Sequence, residues 1–354
     1  MKLGNFSSLL NNGTITASAP CRVDFGGTLD IVSFHYPLRH QKPATVNLAL
    51  DLRTQVSVQA GRDRRIRIAS AGFEDAVFDP GTAPYDHPLG LMFAVADYFG
   101  IEGVHIHIRS ASPPKSGLGG SSVAAVALIR ALSMVREKMG GKKLSRERMA
   151  LLAHAIEQGV AGVPCGLQDQ LAAAFGGVNA WTWTADPERL PFVRRSLVTE
   201  KDLDRLSRRM LVAYLGVTHV STDINGTWTR QFINGSHRKE WEEMIGLTRT
   251  FADAIQQLDM DTAVEAMNRE TAIRKAMTPR VLDDLGDRLA AAAVQCGCGA
   301  RFTGAGGGGC MWALGETAHI DRLRDVWEKI LIQRPDARLL DADIDTDGLL
   351  YRCP

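Results

Sequence analysis

Period-two alternation marks the early part of the chain. Residues 14–25, 44–60, 65–69 and 104–109 alternate apolar with polar or small positions, in runs rich in Val, Ile and Thr, and predict strands. The Ala/Val/Leu/Ile segment after Ser121 is too long for a strand and predicts a buried helix. Two more helices are expected between Ser145 and Phe175, and residues 178–184 return to a strand pattern. The Arg/Asp/Pro-rich stretch 185–195 then reads as the approach to a boundary. Beyond it come a strand at 209–214, helices over 241–258, 261–277 and 281–294, and strands around a glycine-rich loop at 304–309 and over 339–350. Such an order, without internal repeats, predicts an α+β protein. A chain of 354 residues exceeds what one hydrophobic core commonly serves, so two lobes are expected, 1–195 and 196–354, with a site between them.

Composition narrows the function classes. Lys and Arg number 41 against 40 Asp and Glu, a net charge of +1, which gives no general reason to expect nucleic acid or membrane as partner. No apolar run reaches the roughly 18 residues of a membrane span, no charged-then-apolar leader opens the sequence, and the six cysteines are scattered; a reduced cytoplasmic setting is expected. Three tempting motifs have plainer readings. Asp343-Ile344-Asp345-Thr346-Asp347-Gly348 copies the first half of a calcium loop, but its twelfth position would be Pro354, so a β-hairpin with an Asp-Gly turn is expected. His105 and His107 alternate with Val104, Ile106 and Ile108 as the polar face of a strand. Cys296-Gly297-Cys298 lacks the second cysteine pair of a zinc site.

The chemistry concentrates in Pro113-Pro114-Lys115-Ser116-Gly117-Leu118-Gly119-Gly120-Ser121-Ser122, a glycine-rich loop running into the long helix. Glycines let a backbone approach an anion and turn successive N–H groups toward it, the helix start adds its positive dipole end, and a serine hydroxyl can reach a phosphate-bound cation. The loop is therefore a candidate phosphate cradle. It lacks the Gly-Lys-Ser/Thr ending of a P-loop and the glycine spacing of a protein-kinase lid.

The loop resembles the central motif of the GHMP small-molecule kinases, Pro-x-x-x-Gly-Leu-Gly/Ser-Ser-Ser-Ala, with Val123 in the alanine position. Two further blocks carry the same resemblance. Ala19-Pro20-Cys21-Arg22-Val23-Asp24-Phe25-Gly26-Gly27-Thr28-Leu29-Asp30 matches the segment that opens the family's substrate site, although galactokinases have Gly-Glu-His-Thr-Asp and one residue more after the arginine. Gly166-Leu167-Gln168-Asp169-Gln170 with Ala172-Ala173-Ala174-Phe175-Gly176-Gly177-Val178-Asn179 looks like the heptose-phosphate kinases, and Ala161-Gly162-Val163-Pro164-Cys165-Gly166 with Asp169-Gln170 looks like the galactokinases. A last block, Arg301-Phe302-Thr303-Gly304-Ala305-Gly306-Gly307-Gly308-Gly309, is similar to the family's C-terminal glycine loop.

What the resemblance implies is an ATP- and Mg²⁺-dependent kinase of the sugar-kinase branch, acting on a hydroxyl of a small sugar or sugar phosphate. It implies a ribosomal-protein-S5-like N-terminal lobe and a ferredoxin-like C-terminal lobe. Pro114, Ser116 and Gly117 to Ser122 would contact ATP, and Ser122 and Glu157 would hold Mg²⁺. Asp169 would face the acceptor hydroxyl with Arg22 near the transferring phosphate. Asp30, Gly27, Gly306 and Gly307 would border the acceptor. A guanidinium suits phosphoryl oxygens because it is permanently charged and forked, and an ionised carboxylate, an acceptor only, suits a polyol. Beside Arg22, Asp169 is expected to keep a low pKa. The segment 219–232, with Asn225, Trp228 and Arg230, either borders the cleft or is a helix with an aromatic packed beneath it. A homodimer is also possible.

The stretch from Gly304 to Gly309 satisfies Gly-x-Gly-x-x-Gly, but it leads into a strand near the C-terminus, whereas a dinucleotide fingerprint opens a helix. A catalytically silent sensor of the same fold would need loss of Asp169, Glu157 or the Ser121-Ser122 pair, and all are present. A mevalonate-type acceptor is the main alternative to a sugar.

Overall fold

The computed structural model describes residues 10, 13–217 and 221–352. The first lobe runs through β1 (Ile15–Phe25), a one-turn helix α1 (Val32–His35), β2 (Ala44–Ala60), β3 (Ile66–Ser70), β4 (Ala76–Phe78), α2 (Gly90–Phe99) and β5 (Val104–Ser110). It continues with α3 (Gly120–Lys138), α4 (Arg146–Val160), α5 (Gln168–Phe175), β6 (Val178–Trp183) and β7 (Phe192–Ser196). The rest is α6 (Glu200–Ser207), β8 (Met210–Tyr214), α7 (Ser221–Ile233), α8 (Arg238–Gln257), α9 (Met260–Met277), α10 (Asp284–Gln295), β9 (Gly299–Phe302), β10 (Cys310–Leu314), α11 (Thr317–Leu331), β11 (Arg338–Leu340) and β12 (Leu350–Arg352). The fold is two-lobed α+β, as expected from the sequence.

An eight-stranded sheet in the order β12-β1-β2-β5-β3-β4, with β6 and β7 added beside β2, forms the first lobe. The length of β2 makes this possible: its residues 44–48 pair with β6, its residues 54–60 pair with β5, and β1 runs antiparallel along both halves. A bulge between Pro20 and Cys21 shifts the β1 register, which falls where proline cannot donate to the ladder. Helix α3 packs on β1 and β2, and every residue from Ser122 to Val135 is buried. Its alanines let the helix approach the sheet closely. The second lobe is a four-stranded antiparallel sheet, β11-β8-β10-β9, with α8 and α9 packed together beside it. Aromatic rings join the lobes: Phe25 stacks on Phe251 at 4.1 Å and Phe34 lies 4.2 Å from Trp241.

In the fold, the structure corrects one expectation about the strands and adds elements. Residues 343–348 do not form a β-hairpin: β11 belongs to the second sheet and β12 pairs with β1 in the first, so the chain crosses between lobes there. The Asp-Gly signal reported a local turn, in which Asp345 Oδ1 accepts from the Asp347 and Gly348 N–H groups and Arg53 pairs with Asp345. Turn chemistry says nothing about which sheet the flanking strands join. Helices α2, α6 and α11 lie outside the predicted elements, as do β4 and β7.

Candidate active site

The termini of α3 and α5 and the middle of α4 converge on a cleft of about 700 Å³ lined by both lobes. The loop between β5 and α3 forms one wall. Gly119 is the residue before the helix and takes φ +81°, with no side chain capping α3, so the first N–H groups of the helix face the cleft uncapped. Gly117 also has positive φ. The loop is tied to β1, because the Arg22 N–H donates to Leu118 O at 3.3 Å and Arg22 Nη1 donates to Gly117 O at 2.7 Å. Pro114, Ser116, Gly117, Gly119, Gly120, Ser121 and Ser122 line the cleft, whereas Leu118 is fully buried in the core.

Glu157 reaches the same point from α4. Its carboxylate accepts from Ser121 Oγ at 3.2 Å, Ser122 Oγ at 2.7 Å and Gln170 Nε2 at 2.7 Å. Burial, reinforced by Asp169, raises its pKa above the ordinary value. Asp169 sits in the first turn of α5, where the helix dipole favours a carboxylate. Its Oδ1 accepts from Arg22 Nε at 2.8 Å and pairs with Arg22 Nη2 at 2.7 Å, and its side chain keeps 21% exposure, into the cleft. The pKa of Asp169 is raised, not lowered as expected. Enclosure between the lobes outweighs the attraction of Arg22, itself nearly buried and shared with Gly117 and Asp24.

Asp30 lines the same cleft near the start of α5. It accepts from the Gln168 N–H at 3.0 Å, and a side chain at Gly166 would collide with its carboxylate, so glycine is required there. Burial, with Asp169 nearby, pushes Asp30 up to about 7. Between its ordinary 3.8 and about 7 the folded protein binds a proton that the unfolded chain releases, so this group's stabilisation is full at low pH and is lost as pH rises through 7. Thermal melts should accordingly find the parent losing stability relative to Asp30→Asn between pH 4 and pH 7.5; a constant difference would refute the raised pKa.

Gly27, Gly306 and Gly307 stand behind the cleft wall. Gly27 packs on the Asp24 carboxylate, a side chain at Gly306 would press on Val281 O, and the Gly307 N–H donates to that carbonyl at 2.9 Å. The wall itself is Thr28, Gly304 and Ala305. Residues 218–220 lie outside the described ones; of the segment 219–232, Asn225 lines the cleft, while Trp228 is buried with Nε1 donating to Thr278 Oγ1 at 2.9 Å. Sequence reasoning missed the apolar end of the cleft, formed by Phe73, Pro88, Leu89, Met92 and Ile108. It also missed a buried ionic group, Asp24, Glu270, Arg274 and Arg301, whose only sequence hint is the helical spacing of Glu270 and Arg274. His105 and His107 lie side by side on the sheet with ring centroids 3.9 Å apart and planes tilted by 42°, and no group of three or more His, Cys, Asp or Glu side chains that could hold a metal ion occurs among the described residues. Among them too, no helix is long and apolar enough to cross a membrane.

A glycine-lined helix start beside a carboxylate–guanidinium pair in an interlobe cleft is an arrangement suited to phosphoryl transfer onto a small molecule. Comparison with known proteins gives the family. Residues 87–177 match the GHMP kinases N terminal domain and residues 251–333 the GHMP kinases C terminal domain, and the chain belongs to this family of ATP-dependent kinases that phosphorylate alcohol groups. It is 28% identical to mevalonate kinase of Pyrococcus furiosus over 333 residues, 85% of this chain and 89% of that protein. It is 28% identical to galactokinase of Thermococcus kodakarensis over 274 residues, 70% of this chain and 75% of that one. Among solved structures, a D-glycero-D-manno-heptose 1-phosphate kinase from Bacteroides thetaiotaomicron superposes with a TM-score of 0.74 at 16% identity, covering 96% of this chain and 99% of that chain.

Proposed function

We propose that the protein transfers the γ-phosphate of ATP to a hydroxyl of a sugar or sugar phosphate. The observation that carries this reading is Asp30: a carboxyl group turned into the cleft near Asp169, with Gly166 kept bare to admit it, which burial pushes up to about 7 so that it can accept from or donate to a polyol hydroxyl. The apolar end at Phe73, Leu89 and Met92 would take the adenine, and the α3 N-terminus with the loop from Ser116 to Ser122 would bind the phosphates. Asp169 would orient the acceptor hydroxyl and take its proton late in transfer, a task its raised pKa favours. Arg22 would face the transferring phosphoryl group while holding Asp169 in place. Ser122 and Glu157, hard oxygen donors 2.7 Å apart, fit Mg²⁺, which commonly takes one or two protein oxygens and fills its shell with phosphate and water. When bound, the ion neutralises phosphate charge.

A second reading, a mevalonate-type acceptor, is favoured by the similarity to the Pyrococcus furiosus enzyme along most of the chain. An ADP-release screen over hexoses, heptoses, their phosphates and isoprenoid acids decides. Turnover of a sugar or sugar phosphate at least tenfold above mevalonate is expected, and preference for mevalonate would overturn the sugar reading.

A further inference from the structure

Behind the cleft wall, the buried Glu270 lies between two buried arginines. Its Oε1 accepts from Arg274 Nε at 2.9 Å and from Arg301 Nη2 at 3.3 Å, and its Oε2 accepts from Arg301 Nε at 2.9 Å. All three side chains are 0% exposed, a placement that costs heavily unless every charge is paired. Each arginine then reaches across to the first lobe at a different part of the site. Arg274 Nη2 donates to Gly27 O at 2.6 Å and Nη1 to Thr28 Oγ1 at 3.3 Å. Thr28 is a non-glycine residue at φ +79°, a conformation that persists only where its surroundings hold it. Two residues later the same turn presents Asp30. Arg301 Nη1 donates to Asp24 Oδ2 at 3.0 Å, while Asp24 Oδ1 accepts from the Gly304 N–H at 2.7 Å and lies 3.6 Å from Arg22 Nη1.

We propose that Glu270 is a positioning residue for the phosphoryl transfer, acting through Arg274 on the turn that presents Asp30 to the acceptor and through Arg301 and Asp24 on the Arg22–Asp169 pair. The inference rests on the reading of this cleft as the kinase site. None of Glu270, Arg274 and Arg301 lines the cleft. Their effect is geometric: the second lobe fixes where two pieces of the first lobe stand. The guanidinium of Arg274 is further clamped over Trp228 at 4.5 Å and Trp241 at 4.7 Å, so it cannot drift when the cleft fills.

Because the two arms end at different places, they should govern different kinetic constants. Lysine keeps the charge, but its compact ammonium lacks the planar fork with which each guanidinium spans from Glu270 to the first lobe. Arg274→Lys should raise the acceptor KM by about tenfold or more, with the ATP KM within about twofold of parent. Arg301→Lys should instead lower kcat by about tenfold or more. The probe is whichever of D-galactose, a heptose 7-phosphate and mevalonate the parent turns over fastest. Trp228→Phe, which keeps an aromatic core side chain, should reproduce the Arg274→Lys direction more weakly and covers the case in which the arginine variants do not fold. Hydrogen exchange of the Ile31 amide, which donates to Thr28 O at 3.0 Å, gives a readout independent of the acceptor and should quicken in Arg274→Lys and Trp228→Phe. If melting temperature falls while the kinetic constants per folded molecule and the Ile31 exchange stay at parental values, Glu270 and its partners are structural only and the proposal is wrong. A parent inert toward all three acceptors would count against the acceptor reading, leaving the exchange experiment to decide this one.

Discussion

Asp169→Asn is expected to lower kcat by on the order of 10²–10⁴ with the ATP KM nearly unchanged. Asparagine has the same shape and can still accept the Arg22 Nε hydrogen bond now made to Asp169 Oδ1 at 2.8 Å. The phosphate loop also keeps its tie to Arg22 through Gly117 O. What disappears is the negative charge and the ability to receive a proton. Enclosure in the cleft raises the pKa of Asp169 in spite of Arg22, which brings the carboxylate closer to the proton affinity a base needs near neutral pH. Arg22→Lys should fall in the same direction, because an ammonium cannot contact Asp169 and Gly117 in one forked geometry. The check is steady-state and single-turnover kinetics of the Asn variant. If it keeps more than about a tenth of parental kcat with chemistry rate-limiting, Asp169 neither accepts the proton nor aligns the hydroxyl.

The parts of this site that were legible in the sequence are those written in short contiguous stretches. A glycine loop entering an apolar helix states its geometry locally, since Gly117 and Gly119 are where positive φ and close approach are needed. Asp169 is legible because it lies inside the contiguous block from Gly166 to Asn179 that carries the family resemblance, and Glu157 because it stands on the helix just before that block. The ionic group behind the wall was not legible, because Asp24 and Arg301 are 277 residues apart and only the docking of the two lobes joins them. The sign of the Asp169 shift failed for a related reason. A neighbouring guanidinium can be inferred from a motif, but the depth of burial that opposes it is a property of the assembled cleft. The misread hairpin at 343–348 and the buried roles of Gly27 and Gly306 follow the same rule: local chemistry names the turn or the glycine, and the tertiary partner decides what it does.

Gly119→Val should impair both nucleotide binding and chemistry. Two independent costs meet at this position. At φ +81° a β-branched residue is strained by about 1–3 kcal/mol, which the loop would relieve by shifting the very N–H groups that begin α3. A Cβ there would also lie 3.0 Å from Asp169 Oδ2 and 3.1 Å from its carboxyl carbon, so relaxing the loop alone leaves the carboxylate displaced. Misplacement of a reacting group by about an ångström can cost around 10²-fold, so kcat should drop on that scale while the ATP KM rises by tenfold or more. Gly120, one residue along, has open space where a side chain would stand, so Gly120→Ala separates the two causes. It should leave Asp169 untouched and kcat near parental, changing the ATP KM at most a few-fold. Measuring both constants in both variants, with melting curves to confirm folding, tests the arrangement. If Gly119→Val binds ATP and turns over like Gly120→Ala, the phosphates are held elsewhere and the contact between loop and carboxylate has no catalytic meaning.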